Sequence, residues 1–209
     1  MSARAVSSRA CVRRKAQHQG YPMSAVLKSL EAGLQPMTAA HLDAVLVIEK
    51  RAYDHPWTQV NFVDSMAVGY HCRVLTGLAN ASSIGTGTGT PQPAGETLIG
   101  YYVAMMGVDE VHLLNFTVAP EFQRQGWAPL LLEALAGWAQ AQKAQWLWLE
   151  VRASNQRALT IYARNGFRRV GLRKGYYPGV ATVREDAIVM SLRFDERASA
   201  RNGLEGRPS

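Results

Sequence analysis

WLWLEVRASN, Trp146 to Asn155, decides how this chain is read. Its first seven residues are apolar or aromatic except for Glu150 and Arg152, and they hold no glycine or proline, which predicts a strand. Side chains alternate across a strand, so Leu147, Leu149 and Val151 share one face while Trp146, Trp148, Glu150 and Arg152 share the other. A carboxylate in such a run is costly unless it is paired, hydrated or protonated, so Glu150 calls for an explanation. Asn155 then offers an N-cap for a helix. Asn165-Gly166 closes that helix, because glycine takes the left-handed conformation that ends helices.

Outward from this unit, TLIGYYVAMM (97–106) and VHLLNFTV (111–118) read as two successive strands. Pro120 to Gly126 is a turn, and Pro129 to Lys143 is a helix with Leu131, Leu132, Leu135 and Trp138 on one apolar face. Upstream, Thr38 caps a helix running to about Tyr53, with Leu42, Val45, Leu46 and Glu49 at helical spacing. The DHPW stretch (54–57) breaks it, Thr58 to Ser65 forms a second short helix, and residues 71–78 form a strand. Downstream, FRRVGLR (167–173) and DAIVMSLRF (186–194) supply the last two strands. The predicted order is helix, helix, three strands, helix, strand, helix, two strands. This is a mixed α/β (α+β) class without internal repeats, one domain over residues 34–195.

The remainder of the chain is of a different kind. Residues 80–96, NASSIGTGTGTPQPAGE, are low-complexity. No apolar strand leads directly into GTGTGT and no helix pattern follows, so it reads as a flexible connection between two strands, not a phosphate loop. Residues 196–209 form a polar tail. The net charge is +7, and Arg4, Arg9, Arg13, Arg14 and Lys15 contribute +5 from the acid-free first 22 residues of a basic leader. That leader, residues 1–33, reads as a disordered extension or an over-called start, with a transit peptide or a nucleic-acid-binding tail as alternatives. The folded part is only mildly basic, and no direct nucleic-acid binding is expected of it.

No apolar run reaches the roughly 20 residues of a membrane span, so a soluble protein without membrane contact is expected. The two cysteines, Cys11 and Cys72, make neither a disulfide framework nor a zinc pattern, which suits a reducing cytoplasm. The histidines show no paired ligand spacing, and no metal is expected.

Gln123-Arg124-Gln125-Gly126-Trp127-Ala128 lies between a predicted strand and a predicted helix. Successive backbone N–H groups in such a turn, with the positive end of the following helix, suit phosphate oxygens. Gly126 permits close approach and Arg124 adds charge. A plain polar turn would look the same.

Here the chain resembles the GNAT family of acetyl-CoA-dependent N-acetyltransferases, whose pyrophosphate loop has the form Q/R-x-x-G-x-G/A. Gln123, Gly126 and Ala128 match its fixed positions. LWLEVRASN, IYARNGF, YYPGVATVREDAIVM and NFTVAPEFQRQG are similar to the branch of that family that acetylates the N-terminal alanine of ribosomal protein S18 in bacteria. These motifs cover roughly Leu34 to Leu192 apart from the 80–96 insertion.

The resemblance implies the GNAT fold, a mostly antiparallel mixed sheet flanked by helices, and acetyl-CoA as co-substrate. It implies that Glu150 is the general base, acting through an ordered water, and that Tyr162 is the acid that protonates the departing thiolate. It implies cofactor contacts from Phe116, Thr117 and Val118 through their backbone, from Arg124, Gln125, Gly126, Trp127, Ala128 and Pro129 in the loop, and from Asn155. Pro129 departs from the common pattern, since it has no N–H to donate.

The partner implied is the S18 N-terminus, and the absence of cysteine from these motifs implies direct transfer. An α-amine, with pKa about 8 against about 10.4 for lysine, costs roughly 3 kcal/mol less to deprotonate near neutral pH. Other readings stay open. Glu150 paired with Arg152 or another arginine, Tyr162 as a packing residue, or an acceptor that is another N-terminus, a lysine or a small amine are all compatible with the residues. Trp57 and Tyr177 would line a peptide groove or simply pack.

Overall fold

A computed structural model of the chain describes residues 32–78, 96–179 and 183–194. The basic leader up to residue 31, the insertion at 79–95 and the polar tail from residue 195 lie outside them.

Seven strands form one sheet: β1 (Ala32–Pro36), β2 (His71–Leu78), β3 (Glu96–Met106), β4 (Glu110–Val118), β5 (Trp146–Arg152), β6 (Arg168–Pro178) and β7 (Arg184–Arg193). Their spatial order is β1-β2-β3-β4-β5-β7-β6. Only β4 and β5 run parallel; every other neighbouring pair is antiparallel. Among the described residues four α-helices accompany them: α1 (Leu42–Ala52), α2 (Gln59–Ala67), α3 (Trp127–Ala141) and α4 (Gln156–Arg164). Mixed class, mostly antiparallel sheet and flanking helices all agree with the expectation.

One element was absent from the predicted order. Ala32–Pro36 pairs antiparallel with β2, so Ala32 and Gly33, grouped above with the leader, belong to the sheet. AGLQP is short and does not alternate; its strand geometry comes from β2, an influence that local pattern does not contain. The first predicted helix also divides. Thr38 caps a 3-10 turn over Ala39–His41, and α1 follows from Leu42.

The helices cover opposite faces. On one side α1 and α2 bury Val45, Ile48 and Phe62 against Val74, Leu98, Tyr101 and Val103. On the other, α3 and α4 bury Leu131, Leu135 and Tyr162 against Ile99, Val111, Leu147 and Leu149. Each fully buried leucine contributes about 1.5–3 kcal/mol over an exposed one. The central strand β3 is buried on both faces, which explains its nearly unbroken apolar run. Gly100 within it is obligatory, since a Cβ there would sit 2.6 Å from the Thr117 carbonyl oxygen of β4.

Candidate active site

The parallel β4–β5 pairing begins at Glu110↔Trp146 and stops at Leu113↔Leu149. Beyond it, β4 continues to Val118 and β5 to Arg152 without pairing to each other. The divergence has a local cause. The β3–β4 register slips between Val103↔Asn115 and Ala104↔Leu113, so Leu114 is an extra residue on β4. A bulge bends its strand and increases its twist. The sheet therefore splits down its middle immediately after Leu113 and Leu149.

Glu150 is the first β5 residue past the split. Burial alternates along β5 as expected, with Leu147, Leu149 and Val151 buried and Trp146, Trp148, Glu150 and Arg152 half-buried. Because the leucine face lies under α3 and α4, Glu150 points to the α1/α2 side. Tyr162 belongs to α4 and lies buried on the opposite side, its ring 6.2 Å from that of Phe116 on β4 and 5.6 Å from that of Phe167. The two residues thus flank the split from opposite faces.

The carboxylate of Glu150 is paired. Arg173 Nε on β6 lies 2.9 Å from Glu150 Oε1. The pairing raised for Arg152 falls to Arg173 instead, because Arg152 is committed elsewhere. Its Nη1 donates to Glu185 Oε2 and to the Pro178 carbonyl, each at 2.9 Å, and its guanidinium lies over the Tyr177 ring. Interaction with Glu150 is the main cause of the raised pKa of Tyr176. Tyr177 is pushed up to about 12, first by burial and then by the negative charge of Glu150. Burial likewise raises Tyr162 well above the ordinary tyrosine value, with the nearby phenols of Tyr53 and Tyr177 adding to it. Tyr162 is therefore protonated at neutral pH and available as a donor.

At the other end of the split lies the 123–129 loop. Arg124 and Gly126 both have positive φ, 62° and 85°, a backbone arrangement that turns neighbouring N–H groups to one side. Gly126 caps α3, whose first residues, Trp127 and Ala128, have no partner for their N–H groups within the helix. Pro129 is its third residue and lacks a donor where an anion would sit. Gln123 is held at both ends: its Nε2 donates to the Val118 carbonyl at 3.0 Å, and its Oε1 accepts from Arg157 at 2.6 Å. Gln125 is tied back to the Glu121 carbonyl. Asn155 caps α4, its Oδ1 accepting from the Ala158 N–H at 3.0 Å.

The backbone of residues 116–118 is more engaged than the sequence suggested. The Tyr53 hydroxyl donates to the Phe116 carbonyl at 2.8 Å, and Gln123 occupies that of Val118. Each carbonyl keeps a second lone pair for a ligand.

Sequence reasoning missed a second carboxylate. Glu49 on α1 is 1% exposed. It accepts from the Trp57 N–H at 3.0 Å, from Asn115 Nδ2 at 3.0 Å and from the Tyr101 hydroxyl. Asn115 Oδ1 accepts from Thr117 Oγ1, which lies 3.0 Å from the Tyr53 hydroxyl. The network therefore runs from Glu49 to the open edge of β4. The only signal was a glutamate on the apolar face of a helix, four residues after Val45. Trp57 is fixed by this network through its N–H, while its ring packs on Phe62.

A sheet split between its parallel strands, a left-handed loop at the helix that follows, and a carboxylate and a phenol on opposite faces make this the candidate site. The chain belongs to the GNAT acetyltransferase family: the Acetyltransferase (GNAT) pattern matches residues 42–167. It is 33% identical over 156 residues to the ribosomal protein bS18-alanine N-acetyltransferase of Salmonella typhimurium, covering 75% of this chain and 93% of that one. It is 31% identical over 159 residues to the enzyme of that name from Escherichia coli, covering 76% and 95%. The crystal structure of the Escherichia coli ribosomal-protein-S18-alanine N-acetyltransferase superposes with a TM-score of 0.63 over 78% of this chain and 93% of that one. Arabidopsis thaliana NAA60, solved in complex with acetyl-CoA, shares the fold at 17% identity and a TM-score of 0.64, covering 78% and 99%.

Proposed function

We propose that this acetyltransferase moves the acetyl group of acetyl-CoA directly to the α-amine of the N-terminal alanine of ribosomal protein S18, and that it works in the cytoplasm. The observation that carries the reading is the placement of Glu150 and Tyr162 on opposite faces of the split between β4 and β5. Two relatives named for this reaction, each similar over three-quarters of the chain, supply the substrate class.

Acetyl-CoA, when bound, supplies the carbonyl that the amine attacks and the thiolate that departs. The residues present suit it. The N–H groups of Gly126, Trp127 and Ala128, with the charge of Arg124 and the polar Gln125 beside them, hold the pyrophosphate oxygens. Pro129 shapes the helix start without donating. Phe116, Thr117 and Val118 offer their backbone to the pantetheine arm, and Asn155 Nδ2 remains available beside the cap.

Glu150 takes the proton of the α-ammonium through a water. Tyr162, protonated like any phenol at neutral pH, donates a hydrogen bond to the sulfur as negative charge develops there, and passes the proton as the thiolate leaves. An α-amine suits a single carboxylate base better than lysine does, by roughly 3 kcal/mol of deprotonation cost.

The test offers the purified protein acetyl-CoA and three acceptors: a peptide beginning with alanine, that peptide blocked at its α-amine, and a free polyamine. Acetylation of the first alone is expected. Labelling of the blocked peptide would overturn the α-amine assignment.

A further inference from the structure

The proposed base of this site already has a cation on it. Arg173 Nε stands 2.9 Å from Glu150 Oε1, with the arginine side chain 56% exposed and the carboxylate side chain 25% exposed. Arg173 reaches Glu150 from the edge strand β6, across β7, on the side away from the split with β4.

This placement is built by the backbone. The β6–β7 register runs from Arg173↔Ala187 to Tyr177↔Glu185, four steps on β6 against two on β7. The bulge is pinned: Asp186 Oδ1 accepts from the Gly175 N–H at 2.7 Å, and Arg184 donates to the carbonyls of Gly175 and Tyr176. Gly175 takes a φ of 55° to allow it. The bulge brings Arg173 and Tyr176 together, the guanidinium 5.2 Å from the phenol ring, with Glu150 interacting with both. The other charged and titratable groups around Glu150 are Tyr177 and Arg152, and Arg152 is held by Glu185.

We propose that Arg173 is a positioning residue that occupies Glu150 in the free enzyme and is displaced from it by the acceptor's α-ammonium together with the water that links the ammonium to the carboxylate. Two consequences follow from its charge, and both rest on Glu150 being the base. Competition for the carboxylate weakens acceptor binding. Once displaced, the guanidinium remains close to a second cation, and a like charge disfavours the ammonium form, so the amine gives up its proton more readily. Arg173 thus exchanges acceptor affinity for acceptor deprotonation.

The experiment compares wild type with Arg173→Gln and Arg173→Lys, using a peptide beginning with alanine and saturating acetyl-CoA. In R173Q the acceptor KM is expected to fall about three- to fivefold, as for removal of an exposed ion pair. The ascending limb of kcat against pH is expected to move up by about one pH unit. R173K keeps a cation and is expected to stay close to wild type in both. A peptide analogue with a hydroxyl in place of its α-amine, used as an inhibitor, is expected to bind R173Q and wild type equally, since it has no charge to compete. Thermal midpoint and acetyl-CoA KM report folding and are expected to be unchanged. An R173Q enzyme with wild-type acceptor KM and wild-type pH limb, alongside an inactive Glu150→Gln, overturns the proposal. A fully active E150Q instead overturns the base assignment beneath it.

Discussion

Glu49 and Glu150 are both carboxylates set among apolar residues, and they are held in opposite ways. Glu49 is sealed between α1 and the sheet and satisfied by three neutral donors, with no cation among its hydrogen-bond partners. Glu150 stands a quarter exposed at a break in the sheet, with a half-exposed guanidinium on it. Depth of burial does not mark the carboxylate proposed as the base. A carboxylate saturated by fixed donors ties elements together, because moving it would strand every partner. One whose partner is half in solvent can change partners, as acid–base work requires.

The comparison breaks most sharply at turnover. Glu150→Gln and Tyr162→Phe are each expected to lower kcat by about 10²–10⁴-fold, as for loss of a general base or acid, with little change in acetyl-CoA affinity by calorimetry. Unchanged turnover in either variant would remove that residue from its role. Next in size is Glu49→Ala, which leaves the Trp57 N–H, the Asn115 amide and the Tyr101 hydroxyl buried without an acceptor. At about 1–3 kcal/mol per stranded group, a loss of at least about 3 kcal/mol in urea unfolding is expected. A variant of wild-type stability would show that Glu49 is no hub. The smallest effect sharpens the contrast: Tyr101→Phe removes one donor of three, expected to cost about 1–2 kcal/mol while kcat stays within twofold. A large fall in kcat with intact stability would instead connect Glu49 to the chemistry.

Much of the site could be read from local pattern, because strand and helix periods are local. The two faces of β5, the Asn155 cap, the glycine stop at Gly166 (φ 92°) and the Gly126 turn all appear where the residues put them. What could not be read depends on distant partners. β1 is a strand only because β2 lies beside it. The split needs the bulge at Leu114 together with the parallel arrival of β5, and neither shows in the run VHLLNFTV. Arg173 lies 23 positions beyond Glu150, and no spacing rule joins them; the β6 bulge and the β5–β7–β6 order do. Glu49 was counted with the apolar face of its helix, and its donors come from three other segments. The motif resemblance carried the proposed roles of Glu150 and Tyr162, while the electrostatic setting of each emerged only from the fold.

The short seam between β4 and β5 bears on more than access to the site. Four residue pairs fasten the two leaves of the sheet to each other, and past them the facing strand edges do not pair. A ligand with amide groups spaced like a peptide backbone, lying in that gap, is in effect a removable strand. Its binding free energy is then also folding free energy, growing as RT ln(1 + [L]/Kd), about 2.7 kcal/mol at a hundredfold excess over Kd. A co-substrate seated there would be part of the enzyme's architecture, and its concentration would set how firmly the sheet is held closed.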